Sequence, residues 1–233
     1  MESLLNLSTA FAPASARRRV STSKEAIVCA WRFRALLYTS SEDEPQQRSE
    51  EMKRYYITDR KAVGGFRPLL EVIRDQMHLG VDYIQIREKD LSARELFEFT
   101  LAVLEVRANE IRTHMPAKIL INSRADIALA TGADGVHLPS NAPRETLPGL
   151  LVARSCHTLE EIKSAHANFV TFGPVFASPG KQAPMGIEAL KIACRLGTPV
   201  YALGGVDWEN AGECMSAGAE GVAGIRMFQD PSL

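Results

Sequence analysis

Cysteine is scarce in this chain of 233 residues, and its four cysteines (Cys29, Cys156, Cys194 and Cys214) are scattered without a CxxC pair. That spacing argues against a zinc site and against a disulfide scaffold, and it suits a reducing compartment such as the cytoplasm. No charge of either sign is in excess, because 27 Lys and Arg stand against 28 Asp and Glu. A nucleic-acid binder carries a basic surplus, so no nucleic-acid partner is expected. Long apolar runs are missing too. None reaches the roughly 18 residues that span a bilayer, so no membrane partner is expected either. What is present is 45% apolar and 24% charged residues, the make-up of an ordinary globular protein with one domain, or one domain and a tail.

The tail is residues 1–51. From Ser8 to Ser41 it is rich in Ser, Ala and Arg and nearly free of acids, and a polar acidic run follows from Glu42 to Glu51. An Arg/Ser-rich, acid-poor start reads as a targeting segment, as a disordered extension, or as sequence upstream of a true start at Met52. The domain proper is read as 52–233.

From Met52 onward, short β-rich runs alternate with helical patterns. The strands are expected at Arg54–Asp59, Tyr83–Arg87, Lys118–Asn122, Gly135–Leu138, Leu151–Cys156, Phe169–Val175, Pro199–Leu203 and Gly221–Ile225. A helix is expected over Ser92–Ile111, where Leu96, Phe99, Val103 and Val106 recur at helical spacing. Ser92 with Glu95, and Thr158 with Glu161, are capping-box signatures. A weak repeat recurs at Gly80-Val81-Asp82-Tyr83, Gly132-Ala133-Asp134-Gly135 and Gly218-Ala219-Glu220-Gly221, with Asn168-Phe169 as a degraded copy. In each, a glycine suited to a left-handed helix cap precedes a small residue, an acid and a strand. Eight strands in strict alternation with helices imply a TIM (β/α)8 barrel. Only Met227 to Leu233 follow the last strand, so the last helix is expected to be shortened or missing.

A barrel of this kind places its ligand at the C-terminal ends of the strands. There, period-two alternation sets Gln85, Arg87 and Lys89 on one face and Ile86 and Glu88 on the other. An amide and two cations converging on the barrel mouth would take an anion. The alternative is a salt-bridged strand end, with Glu88 and Asp90 neutralising the cations. Gly204-Gly205 after strand seven, with Ile225-Arg226 after strand eight, stand where barrels hold phosphates. Plain turn glycines are the other reading. Strand five ends in Ser155-Cys156-His157, which puts His157 at the mouth as an acid/base or as a structural histidine. His137 is a second such candidate. Cys156 alternates away and reads as core. The loop from Phe176 to Gly186 carries Lys181, which could reach a phosphate from a lid or simply sit in an exposed loop.

Taken in order, Tyr56-Ile57-Thr58-Asp59, Gln85-Ile86-Arg87-Glu88-Lys89, Ile121-Asn122, Gly132 to Leu138, Ser155-Cys156-His157-Thr158, Phe172-Gly173-Pro174-Val175-Phe176 and Gly204-Gly205 resemble the thiamine-phosphate synthase/TenI family. The resemblance implies that Gln85, Arg87, Lys89, Asn122, Ser155 and Lys181 match its pyrimidine-pyrophosphate-binding positions. Gly204 and Ile225 match its thiazole-phosphate site. The synthase branch carries an aspartate directly after the asparagine and another just after the fourth strand, both holding magnesium. Here Ser123 follows Asn122, and the later segment is Pro139-Ser140-Asn141-Ala142. Mg²⁺ prefers carboxylate oxygens. These departures, with Leu138-Pro139-Ser140 and Arg154-Ser155-Cys156-His157, resemble the TenI branch of thiazole tautomerases. There a histidine matching His157 shuttles a proton. The expectation is therefore a tautomerase acting on a thiazole phosphate without a cofactor, with His157 catalytic and Gly204, Gly205, Ile225 and Arg226 around the phosphate. The alternatives are a synthase using Mg²⁺ and a non-catalytic sensor of thiamine intermediates. A homo-oligomer is compatible with all three.

Overall fold

The computed structural model describes residues 52–109, 117–143, 147–178, 180 and 183–230. The expected targeting-like tail, 1–51, and Lys181 lie outside them. Eight parallel strands close into a barrel in sequence order, β1 to β8. They are β1 Lys53–Ile57, β2 Tyr83–Ile86, β3 Lys118–Asn122, β4 Gly135–Leu138, β5 Leu151–Cys156, β6 Phe169–Phe172, β7 Val200–Leu203 and β8 Gly221–Gly224. The helices among the described residues are α1 Phe66–His78, α2 Ala93–Asn109, α3 Ala125–Thr131, α4 Leu159–Lys163, α5 Gly186–Cys194, α6 Ala211–Ser216 and α7 Arg226–Gln229. The alternation read from sequence fails once, because no helix stands between β4 and β5 among the described residues. Five of the eight strands are shorter than their apolar patterns suggest, mostly at the C-terminal end. There the chain leaves the ladder to build the mouth.

Local chemistry sets several boundaries. Thr158 accepts a hydrogen bond from the Glu161 backbone N–H while the Glu161 side chain accepts from the Thr158 N–H, which completes the expected capping box on α4. Ser92 and Glu95 exchange the same pair of bonds at the entry to α2.

The repeat has a mechanical meaning. Its glycines take left-handed φ values of 76° at Gly80, 73° at Gly132 and 96° at Gly218. The acid that follows braces the base of the neighbouring strand. Asp82 accepts the Arg54 backbone N–H at 2.8 Å, and Asp134 accepts that of Ile119 at 2.8 Å. Asn168, in the degraded copy, accepts the Val152 N–H at 2.8 Å and so performs the same task without a charge. Glu220 instead takes the Lys53 ammonium at 2.6 Å.

Inside the barrel, registered neighbours point the same way. Tyr55, Tyr83, Phe169 and Tyr201 fill its lower half, with ring centroids 4.7–6.0 Å apart and mostly tilted or edge-on. This aromatic plug closes the base and leaves the mouth to polar side chains.

The short last helix is pinned from several sides. The Trp208 indole N–H donates to the Met227 carbonyl at 3.0 Å, and the Gln76 amide to the Phe228 carbonyl at 3.0 Å. Phe228 is buried against Tyr56 and Trp208, with centroids at 5.5 and 5.4 Å.

Candidate functional site

All the singled-out residues among those described follow or end strands at one rim, because parallel strands deliver their C-terminal ends to one side. Interior parity carries Gln85, Asn122, His137 and Ser155 into the upper barrel, above the aromatic plug. Gln85, although 2% exposed, has both ends of its amide engaged. Its Nε2 donates to Asn122 Oδ1 at 2.9 Å, and its Oε1 faces the Tyr55 hydroxyl at 3.4 Å. That hydroxyl lies 2.8 Å from His137 Nδ1, and His137 Nε2 lies 2.8 Å from Ser155 Oγ. Three of the expected ligand positions, Gln85, Asn122 and Ser155, are therefore joined by Tyr55 and His137. Sequence reasoning did not single out Tyr55. The signal available was a tyrosine on the inward face of a barrel strand, a buried aromatic with a polar tip that needs a partner.

His137 does not have the proton-trading character considered for it. Burial, with the positive charge of Arg87 in support, pushes its pKa down to about 3. It is a neutral imidazole at physiological pH, bonded through both nitrogens. Lys89 lies beyond the end of β2, exposed in a turn closed by the Leu91 N–H to the Glu88 carbonyl.

The carboxylates beside this segment, Glu88 and Asp90, are engaged by the exit of β1. Glu88 is buried and accepts from Thr58 Oγ1 at 2.7 Å and from the Arg60 backbone N–H at 3.2 Å. Arg60 bridges Glu88 and Asp90, with Nη1 2.6 Å from Asp90 and 3.2 Å from Glu88. This ties the exits of β1 and β2 together below the rim.

His157 is exposed directly after β5. Its Nδ1 is 2.8 Å from the Gly173 carbonyl, and its backbone N–H donates to the Glu161 carboxylate. A carbonyl only accepts, so Nδ1 carries the hydrogen and the neutral ring leaves Nε2 as a base. Cys156, between Ser155 and His157, is buried, and burial pushes its thiol up to about 12, which suits its reading as core. Arg154 is 2% exposed and donates to the carbonyls of Pro139, Ala142 and Pro143 at 3.3, 2.8 and 3.1 Å. It shapes the β4–β5 connection from beneath.

At the β7 and β8 exits, Gly204 and Gly205 take φ values of 93° and 66°. A Cβ on Gly204 would lie 2.7 Å from the Pro174 Cα, and one on Gly205 would lie 2.5 Å from the Ala177 carbonyl oxygen. These glycines let the β6 loop pass close by, a demand beyond admitting a phosphate. Ile225 packs on the interior cluster and caps α7, and Arg226 is the exposed first residue of that helix.

At the two positions where the resemblance to the synthase branch places magnesium-holding aspartates, this chain carries none. Position 123 is a serine in the left-handed region (φ 59°), and residues 139–142 offer no carboxylate. Among the described residues, no group of three His, Cys, Asp or Glu is placed to hold a metal ion. No helix among them is long and apolar enough to cross a membrane.

Comparison with known proteins agrees with this barrel. A protein of Aquifex aeolicus named "Putative thiamine-phosphate synthase 2" is 42% identical over 185 residues, covering 75% of this chain and 96% of that protein. The thiamine-phosphate synthase of Moorella thermoacetica is 35% identical over 183 residues, covering 73% and 85%. Among solved structures, a thiamine phosphate pyrophosphorylase from Pyrococcus furiosus superposes with a TM-score of 0.65 at 30% identity, over 75% of this chain and 86% of that one. A 3-hexulose-6-phosphate synthase, 19% identical with a TM-score of 0.54, shares the fold alone. Residues 54–228 match the TMP-TENI family model, thiamine monophosphate synthase, and the chain belongs to that family of thiamine-biosynthesis enzymes.

Proposed function

We propose that this protein is a thiazole tautomerase of thiamine biosynthesis, which moves a proton on a thiazole carboxylate phosphate to give its aromatic tautomer. The observation that carries the reading is the anchoring of His157. With its Nδ1 hydrogen held by the Gly173 carbonyl, the ring presents Nε2 at the rim as an acceptor. A shift of one proton needs one such group and a phosphate anchor, and it needs no metal. In this reading His157 removes the proton and returns it at the new position. Asn122, Arg87 and Lys89 contact the carboxylate or the ring. Gln85 and Ser155 complete that wall. The phosphate rests against Gly204, Gly205, Ile225 and Arg226.

A second reading, the coupling of a pyrimidine pyrophosphate to a thiazole phosphate, has the names of the relatives on its side. On names alone it is the better supported of the two. Against it stands the chemistry of the rim: a departing pyrophosphate needs Mg²⁺, and the two places where the family would offer aspartates hold Ser123 and the Pro139–Ala142 segment.

The deciding experiment is a paired assay on one preparation. Tautomerisation of the thiazole carboxylate phosphate is followed alongside pyrophosphate release from both half-molecules with Mg²⁺. Turnover in the first and none in the second is expected. The reverse result replaces the tautomerase by the synthase.

A further inference from the structure

The side chains of Asn122, Gln85, Tyr55, His137 and Ser155 form one unbroken line of hydrogen bonds whose two ends, Asn122 and Ser155, are partly exposed at the rim. Three inner members are buried. Such a line has only two fully satisfied arrangements, because each inner group donates on one side and accepts on the other. A neutral imidazole carries one hydrogen, a phenol donates one, and an amide has a donor end and an acceptor end.

We propose that Tyr55 and His137 are positioning residues that fix the hydrogen-bonding polarity of Ser155 and couple it to that of Asn122. Gln85 Nε2 donates to Asn122 Oδ1, so Gln85 Oε1 must accept from the Tyr55 hydroxyl. Tyr55 oxygen then accepts from His137 Nδ1–H, and His137 Nε2 accepts from the Ser155 hydroxyl. The opposite tautomer of His137 with this amide orientation would leave a buried Gln85 oxygen without a donor, which is unfavourable because a buried acceptor then goes unpaired. His137 can hold this role because burial beside Arg87 keeps it neutral.

The consequence concerns the ligand and rests on the reading that Asn122 and Ser155 face it. Ser155 gives its hydrogen inward and presents lone pairs to the mouth. Asn122 presents its Nδ2 hydrogens. The site therefore selects a ligand with an acceptor, such as a carboxylate oxygen, opposite Asn122 and a donor, such as a ring N–H or hydroxyl, opposite Ser155. A ligand with the reverse pattern must turn all five groups at once.

The test needs no ligand. Nitrogen NMR of the imidazole distinguishes the two neutral tautomers, because protonated and bare ring nitrogens resonate far apart. The expected result is His137 protonated at Nδ1 in the full-length protein. In Gln85→Met, which keeps the side-chain length, Tyr55 loses its acceptor and must donate to His137. The hydrogen on His137 is then expected to move to Nε2. A His137 that is cationic, that carries its hydrogen on Nε2 in the parent protein, or that is unchanged by Gln85→Met overturns the proposal. Should Gln85→Met not fold, Tyr55→Phe serves: the single tautomer should give way to a mixture, and an unchanged spectrum overturns the idea equally. Binding of the thiazole carboxylate phosphate then tests the consequence. Losses on Asn122→Ala and Ser155→Ala should be non-additive in the parent and additive in Tyr55→Phe. Additive losses in both, with the tautomer result intact, would count against the ligand-facing reading and not against the chain.

Discussion

Replacing His157 with asparagine isolates the one feature on which the proton-transfer reading depends. The asparagine amide can donate to the Gly173 carbonyl as Nδ1 does now, at 2.8 Å, and the backbone N–H to Glu161 is untouched. The rim geometry is therefore kept while the basic Nε2 is lost. A positioned acid/base contributes about 100- to 10,000-fold, and at 1.36 kcal/mol per decade the variant should lose ~3–5 kcal/mol of transition-state stabilisation. The effect belongs in kcat. Binding of the thiazole carboxylate phosphate, measured by calorimetry, should change less than about threefold, since that affinity is assigned to the phosphate and carboxylate contacts. Single-turnover conversion followed by the ultraviolet change of the aromatising ring gives kcat free of product release. A fall of less than tenfold would refute the assignment of His157 as the acid/base. An equal fall in kcat and affinity would show that the ring binds the ligand and transfers no proton.

Four further outcomes follow from the same geometry. Adding Mg²⁺ should leave the thermal midpoint unchanged, because occupancy at 100 times Kd would add ~2.7 kcal/mol and several degrees; a rise of that size would favour the coupling reaction. Phe228→Ala should cost about 3–5 kcal/mol in denaturant unfolding, since it removes the buried ring that seats the last helix on Tyr56 and Trp208; a cost below 1 kcal/mol would show that the closing turn contributes little. Gly204→Ala should lower the midpoint, because a left-handed φ of 93° costs an L-residue ~1–2 kcal/mol and its Cβ would meet Pro174 at 2.7 Å; an unchanged midpoint would contradict that close approach. The carboxyl of Asp90 is held well below its ordinary 3.8 by hydrogen bonds from Arg60 and then Lys61. Its native pKa is depressed, so its contribution is complete above the ordinary 3.8 and fades as pH falls from there toward the native pKa. With the side chain 43% exposed, Asp90→Asn should cost less than about 1 kcal/mol at pH 6 and less still at pH 3; a gap that widens on acidification would reverse the sign of the linkage.

The sequence by itself determined the barrel and its rim. Eight apolar runs, the left-handed glycines at 80, 132 and 218, and the capping residues Thr158 and Glu161 are local signals, and local sterics enforce them wherever the chain goes. Alternation likewise set Gln85 on one face with Arg87 and Lys89, and Ser155 on one face with His157. Tertiary structure alone decided what those residues touch. Asp82, Asp134 and Asn168 read only as a repeat, because the backbone N–H each one braces belongs to a strand 15–28 residues away. Glu88 stood beside Arg87 and Lys89 in sequence, yet its carboxylate turns to Arg60 and Thr58 because side chains on neighbouring residues of a strand face opposite sides. His137 and His157 looked alike as rim histidines. One is enclosed and pushed to a pKa of about 3, and the other is exposed with its Nδ1 on the Gly173 carbonyl, a difference set by the packing around Tyr55 and the barrel wall.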